Sequence, residues 1–298
     1  MMKMGMLLHN PTAGDEKHSK KALVKLLEDH GFSCRYASVK DEWEDFPPDI
    51  DFIIMAGGDG TVRKVLKGME EKSRPLNKWP LALLPLGTAN NIARTLGIEG
   101  DDDQIVESWH KGNIKQVDLG RIRNGKENLF FVEGLGCGLF PTHMKKAKES
   151  PEEYEGSPEE NMKNDLKIFY DDIFSAKPVK CKLTIDEKDY SGEYLLLEVM
   201  NIRSVGTRLL LSPSSDPGDG FFDVVLIPEK DRELLAGYLY DKIKGEEKEP
   251  SFQTVRGKHI VLNCSDDLFH VDDRIVDPEK KEDFGISMEE GLLKFLVP

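Results

Sequence analysis

Asp51-Phe52-Ile53-Ile54-Met55-Ala56-Gly57-Gly58-Asp59-Gly60-Thr61 is an apolar run that passes directly into a glycine-rich turn with one carboxylate at its centre. Beyond it, Val62, Val65, Leu66 and Met69 recur at i, i+3, i+4 and i+7, the spacing of one buried helix face. Strand, glycine turn and helix together present unsatisfied main-chain N–H groups at a helix N-terminus, an arrangement that receives phosphate. Gly57, Gly58 and Gly60 let the backbone approach a ligand without a Cβ in the way. Asp59 repels phosphate, so a binding role for it requires a cation between them, and Mg²⁺ is the expected one.

A glycine turn after a strand also occurs as plain turn chemistry, and a second element decides between the two readings. Leu81-Ala82-Leu83-Leu84-Pro85-Leu86 is another apolar strand-like run, followed by Gly87-Thr88-Ala89-Asn90-Asn91 and a short amphipathic stretch over 92–96. Two such turns in one βαβ region would lie side by side at the carboxyl ends of the strands, where open α/β sheets bind ligands.

Asn10-Pro11-Thr12-Ala13-Gly14, the Gly57-Gly58-Asp59-Gly60-Thr61 turn and Pro85-Leu86-Gly87-Thr88-Ala89-Asn90-Asn91-Ile92-Ala93-Arg94 resemble, in order and spacing, the three signatures of the diacylglycerol kinase catalytic domain. That family also takes in sphingosine kinases and bacterial soluble lipid kinases. The resemblance implies a Rossmann-like α/β N-terminal domain of the NAD kinase/diacylglycerol kinase type and an antiparallel β-sandwich C-terminal domain, with ATP bound in the cleft between them. It implies ATP contacts at Asn10, Pro11, Thr12, Gly57, Gly58, Gly60, Thr61, Gly87, Thr88 and Asn90, with Asp59 helping to hold Mg²⁺ against the phosphates.

The rest of the chain supports that division. Strand-like runs at 4–9, 32–39 and 114–119 alternate with helical patterns at 22–30, 62–69 and 101–110, which predicts a mostly parallel sheet flanked by helices. Asn124-Gly125 between apolar runs then signals a hairpin. A polar segment at 150–158 reads as a mobile loop within a helical hairpin, and Leu166, Phe169, Tyr170, Ile173 and Phe174 mark one helix face. Strands are expected at 179–185, 194–201, 221–227, 252–262 and 269–276, with one helix at 231–242. The expected domains are 1–122 and 123–290, the latter contributing to the acceptor site, and the family resemblance implies that 291–298 returns to the first.

Composition narrows the partners. In 298 residues, 41 Lys and Arg against 55 Asp and Glu leave a net charge of −14, which argues against nucleic acid and against standing adsorption to anionic membranes. A lipid substrate would be met by a local apolar or basic face and a transient contact with the membrane surface. A homodimer stays open. Cys34, Cys137, Cys181 and Cys264 form no CxxC pair and read as small buried hydrophobes in a reducing compartment. The apolar start at 4–8 is too short for a secretory signal, and no apolar run is long enough to span a bilayer, so a cytoplasmic protein is expected.

Phosphoryl transfer needs positioning and charge neutralisation more than covalent chemistry. By resemblance, Asp118 in Val117-Asp118-Leu119-Gly120 and Asp219 in Asp216-Pro217-Gly218-Asp219-Gly220 join Asp59 in a metal-linked acidic set. Each of the two also reads as ordinary turn chemistry. The clearest departure from the family is Val271-Asp272-Asp273-Arg274, where Arg274 stands at the place of the glutamate thought to deprotonate the lipid hydroxyl. Arginine stays protonated and cannot be a general base, although it can stabilise phosphate charge. Asp272 or Asp273 could serve as the base, only one of them facing the site if both lie on a strand. Alternatively, a loose transition state needs little deprotonation, or the chain binds nucleotide with little turnover. An NAD kinase-like enzyme, which shares the Gly-Gly-Asp-Gly-Thr turn, and a nucleotide-binding regulator are the competing functions.

Overall fold

The computed structural model describes residues 2–13, 18–41, 46–124, 127–149, 156–265, 268–276 and 283–298. Gly14 of the first motif, Gly125 of the expected hairpin turn and 150–155 of the expected loop lie outside the described residues. The chain divides into two compact units, Met1–Val117 with Gly291–Pro298, and Asp118–Glu290. The boundary falls five residues before the expected 122, because Asp118 is bonded into the second unit.

The first unit alternates strands and helices: β1 (Lys3–His9), α1 (Lys20–Asp29), β2 (Phe32–Ser38), β3 (Phe52–Gly57), α2 (Asp59–Glu71), β4 (Leu81–Pro85), α3 (Asn91–Thr95) and α4 (Asp102–Ser108). The strands pair in parallel in the order β2-β1-β3-β4. All six residues of β3 are buried, which is why its sequence is a continuous apolar run and not an alternation. The expected α2 face, Val62, Val65, Leu66 and Met69, is buried. Ser19 caps α1 by accepting from the Ala22 N–H, and Gly31 ends it at φ +73°. Asp101 and Gln104 form a reciprocal capping box on α4.

The chain passes into the second unit along β5 (Ile114–Asn124), followed by β6 (Glu127–Phe131), β7 (Gly134–Gly138), α5 (Leu139–Glu149), α6 (Pro158–Ser175), β8 (Val179–Ile185) and β9 (Lys188–Asp189). It continues through β10 (Gly192–Met200), β11 (Ser204–Val205), β12 (Leu209–Leu210), β13 (Phe222–Pro228), α7 (Arg232–Ile243) and β14 (Gln253–Gly257). Last come β15 (Ile260–Cys264), β16 (Phe269–Val271), β17 (Arg274–Val276) and β18 (Phe284–Leu296). The start of β18 pairs with β15, and its end lies parallel to β4 in the first unit's sheet. The β5 and β6 strands pair on either side of the expected hairpin turn.

Strand β10 organises this antiparallel sandwich, pairing with β7, β8 and β13. Its Leu197 and Val199 enter the core between sheet layers, with Phe131, Leu183, Phe222, Leu262 and Phe284. Its Leu196 and Met200 face the helices and pack with Phe140, Phe169, Leu235 and Leu239. Period-two alternation therefore buries β10 on both faces.

Two expected strands are each broken into two, and the second of them is a hairpin. The run 252–262 is β14 and β15, broken at Lys258 and His259, whose N–H groups donate to the Asp186 carboxylate at 3.1 and 2.9 Å. The run 269–276 is β16 and β17, and Asp272 and Asp273 are its two turn residues, with Asp272 at φ +52°. The expectation that these two carboxylates alternate across a strand is thereby overturned.

The alternation on β10 puts Glu198 on the helix-facing side, where it meets His270 of β16. Both are fully buried, with His270 Nε2 2.7 Å from Glu198 Oε2 and the His270 Nδ1 3.0 Å from the Asp272 carbonyl oxygen. Burial works against the His270 cation, but the Glu198 carboxylate outweighs it and holds the imidazole pKa above its ordinary value. Burial pushes the Glu198 carboxyl up as well, so the pair keeps its shared proton as pH rises. Both groups thus bind protons more tightly folded than unfolded, and the stability they add is complete at low pH and lost as pH rises through the folded-state values. Thermal unfolding should show a midpoint that falls as pH rises above the ordinary histidine value of about 6.5. Replacing the pair together, Glu198→Gln with His270→Gln, should flatten that slope relative to wild type.

Candidate active site

The three N-terminal motifs meet in the first unit. Asn10 follows β1, and its N–H donates to the Ala56 carbonyl oxygen at 2.9 Å, which sets the first loop against the end of β3. Its Nδ2 donates to Thr61 Oγ1 at 3.3 Å, while its Oδ1 accepts from the Thr12 hydroxyl at 3.0 Å. Pro11 is half-buried between them and Thr12 is exposed. His9, just before this loop, packs against Tyr36; burial, with His18 adding to it, holds its imidazole below the ordinary pKa, so it brings no positive charge there at neutral pH.

The second and third motifs are locked by main-chain contact. A Cβ on Gly87 would fall inside the radius of Gly58 Cα and lie 2.8 Å from Asn90 Oδ1, so only glycine lets the two turns approach this closely. Asn90 takes the left-handed conformation, φ 52° and ψ 44°, which asparagine tolerates better than most residues. Its side chain staples its own loop: Oδ1 accepts from the Gly87 N–H at 3.0 Å, and Nδ2 donates to the Pro85 and Gly87 carbonyl oxygens at 2.8 and 2.7 Å.

Asp59 caps the third motif from the second. Its Oδ2 accepts from the Asn91 N–H at 2.9 Å and its Oδ1 from the Ile92 N–H at 3.0 Å, at the positive end of α3. Each carboxylate oxygen thereby takes one amide hydrogen. The donor set suits Mg²⁺ held through one carboxylate and phosphate oxygens. Thr61 is buried, whereas Gly60 and Thr88 are exposed along the rim.

The remaining candidates gather in the second unit as one hydrogen-bonded network. Asp118 is 1 % exposed and its Oδ2 accepts from the Gly220 N–H at 2.9 Å, while its own N–H donates to the Pro217 carbonyl oxygen. Asp219 is exposed, accepts from the Phe221 N–H at 3.0 Å and forms an ion pair with Arg256. These partners suit a role in shaping the 216–220 loop better than ligation of a magnesium ion. Asn201 Nδ2 donates to the carbonyl oxygens of Asp118 and Val132, both at 2.9 Å. From there the network reaches Asp272, whose carboxylate accepts the N–H groups of Val132, Glu133 and Gly134 at 2.8–3.2 Å.

Asp272 is therefore an anion held in a nest of main-chain amides, 6 % exposed, whereas Asp273 beside it is exposed. Of the residues that sequence reading missed, Glu198 carried a signal, a lone acid in Leu195-Leu196-Leu197-Glu198-Val199-Met200. His270 between Phe269 and Val271 carried a similar one. Removing the Asp272 carboxylate with Asp272→Ala strands three inward-facing amides, and chemical denaturation should show a loss of about 3 kcal/mol or more. Asp273→Asn should leave stability within about 0.5 kcal/mol of wild type.

Comparison with known proteins places this geometry. Residues 4–122 match the family model described as the diacylglycerol kinase catalytic domain, and residues 168–281 match the YegS C-terminal NAD kinase beta sandwich-like domain. The chain is 28% identical over 240 residues to a diacylglycerol kinase of Bacillus subtilis (strain 168), covering 76% of this chain and 74% of that protein. It is 25% identical over 284 residues to a diacylglycerol kinase of Staphylococcus aureus (strain MRSA252), covering 90% and 84%. The crystal structure of a diacylglycerol kinase from Bacillus anthracis str. Sterne superposes with a TM-score of 0.70 at 21% identity, over 100% of this chain and 97% of that one, a likeness of fold. With three signature loops interlocked in the first unit and both domain models matched in order, the chain belongs to the diacylglycerol kinase catalytic-domain family.

Proposed function

We propose that the protein is an ATP- and Mg²⁺-dependent lipid kinase that transfers the γ-phosphoryl group to a hydroxyl of diacylglycerol or a similar lipid alcohol. The reading rests above all on Asp59, whose carboxylate ties the Gly57–Gly60 turn to the N-terminal amides of the loop that follows Gly87. That bond holds two sets of main-chain donors in one fixed geometry, which is what a triphosphate requires. Gly57, Gly58, Gly60, Thr61, Gly87 and Thr88 supply amides and hydroxyls, and Asn10 and Thr12 border the same cradle. Asn90 acts by shaping its loop, and Pro11 by directing the chain past it.

Mg²⁺, when bound, neutralises phosphate charge, and we assign its protein contact to Asp59. Asp118 and Asp219 act through the 216–220 loop. Of the two acids in the late hairpin, Asp273 is the better general base, because Asp272 is committed to three amides. Arg274, exposed beside it, is suited to steadying phosphate charge. Named relatives that are diacylglycerol kinases favour diacylglycerol as the first acceptor to try. Among the described residues no helix is long and apolar enough to cross a membrane, so the lipid is met by transient surface contact.

Incubating the purified chain with γ-labelled ATP, Mg²⁺ and diacylglycerol in mixed micelles should yield labelled organic-phase product, abolished by chelation of the metal. Asp59→Ala should remove at least about 100-fold of the activity, in line with loss of a charge-positioning group. Asp273→Asn should lower kcat by about 10²-fold or more, the usual contribution of a positioned base, with unfolding unchanged. NAD offered as the competing acceptor provides the contrary outcome: phosphorylated NAD and no labelled lipid would overturn the proposal.

A further inference from the structure

Three of the four cysteines, far apart in sequence, converge in the sandwich core of the second unit. Cys181 of β8 and Cys264 of β15 are directly opposed across an antiparallel pair. Cys137 of β7 closes the triangle, since its strand lies beyond β10 but its side chain points into the same interior. The sulfur separations are 2.7 Å for Cys181 and Cys264, 2.8 Å for Cys137 and Cys264, and 3.6 Å for Cys137 and Cys181. No disulfide joins them, and each residue is at most 4% exposed.

Two features select what such a cluster can hold. The first is coordination. Three sulfur donors lie within 4.8 Å of one another with no His, Asp or Glu among them, which is one donor short of the tetrahedral set that structural zinc takes. A pyramidal centre holding three thiolates at about 2.3 Å spaces the sulfurs by roughly 3.5 Å. One edge already has that length, and the two short edges reach it by small side-chain rotations.

The second feature is charge. The neighbours are Leu135, Val179, Leu183, Leu197, Phe269 and other apolar groups. The other two thiols and burial push the Cys137 thiol well up, with no cation opposing them. Three thiolates with a monovalent or divalent ion would leave net negative charge in this apolar interior, where a charge without a partner is costly. A trivalent centre gives a neutral complex.

We infer that Cys137, Cys181 and Cys264 form a binding site for a trivalent thiophilic centre of the arsenic(III) class, independent of the kinase chemistry. With arsenous acid, three As–O bonds break and three As–S bonds form. Each thiol proton leaves with a hydroxide as water, and no electrons are exchanged. Because the interior is closed, the site loads as the unit opens or folds.

The full chain, reduced and unfolded in urea, would be refolded with arsenite and freed of excess reagent, with a parallel sample refolded in zinc. The expected result is one arsenic retained per chain, with three hydrogens lost, by intact mass under native conditions. Alkylation mapping in urea, beside a sample refolded without arsenite, should then find all four cysteines labelled in the arsenic-free chain but only Cys34 labelled in the loaded one, and thermal unfolding should shift upward because only the folded chain assembles all three donors. Cys34→Ala should keep the arsenic, and Cys264→Val should lose it. No retained arsenic, retention that requires Cys34, a lowered unfolding midpoint, or zinc held in preference would each overturn the inference. The protection pattern in wild type decides the matter even where a core variant does not fold.

Discussion

A carboxylate and two amides carry the architecture of the first unit. Asp59 reaches from the start of α2 to the first turn of α3 and satisfies N–H groups that a five-residue helix cannot satisfy internally. The bond is possible only because Gly58 and Gly87 lack side chains where their loops touch. Asn90, the residue at the usual capping position, is thereby released to staple its own loop through Pro85 and Gly87. A single acidic residue thus closes one motif onto another.

The second unit solves a different problem, that of holding polar groups inside a sandwich. It does so by giving each buried acid a defined partner. Asp118 takes the amide of Gly220, Asp272 takes three amides of the 132–134 turn, and Glu198 takes His270. Asn201 joins the first two by donating to carbonyl oxygens on each side. Buried anions with several amide donors rigidify the loops that contribute them, so the hairpin bearing Asp273 and Arg274 is presented on a fixed base. Asp272 is thereby committed to structure, whereas Asp273 beside it is exposed.

Arg274 opens β17 directly after the two turn residues of the late hairpin, and the anchoring of that turn lies in Asp272. The turn keeps Asp272 in the left-handed conformation, and its carbonyl oxygen takes a hydrogen bond from His270. The anchoring through Asp272 is thus separate from the exposed charges at the tip, Asp273 and Arg274.

Much of this was legible in the chain itself. The continuous apolar run of β3, the helical spacing of Val62, Val65, Leu66 and Met69 and the order of the three signature loops determined the α/β half, because local periodicity and turn chemistry act over a few residues. The same reasoning misread 269–276 as one strand, since nothing local marks Asp272 as left-handed; three amides from 132–134 impose that conformation. It read four scattered cysteines as separate core residues, and only the pairing of β8 with β15 and the inward face of β7 bring three of them together. The sequence by itself determined which segments become strands, helices and phosphate-type turns. The tertiary structure alone decided what each carboxylate and thiol does, because those roles depend on partners dozens of residues away and on the low-dielectric interior that surrounds them.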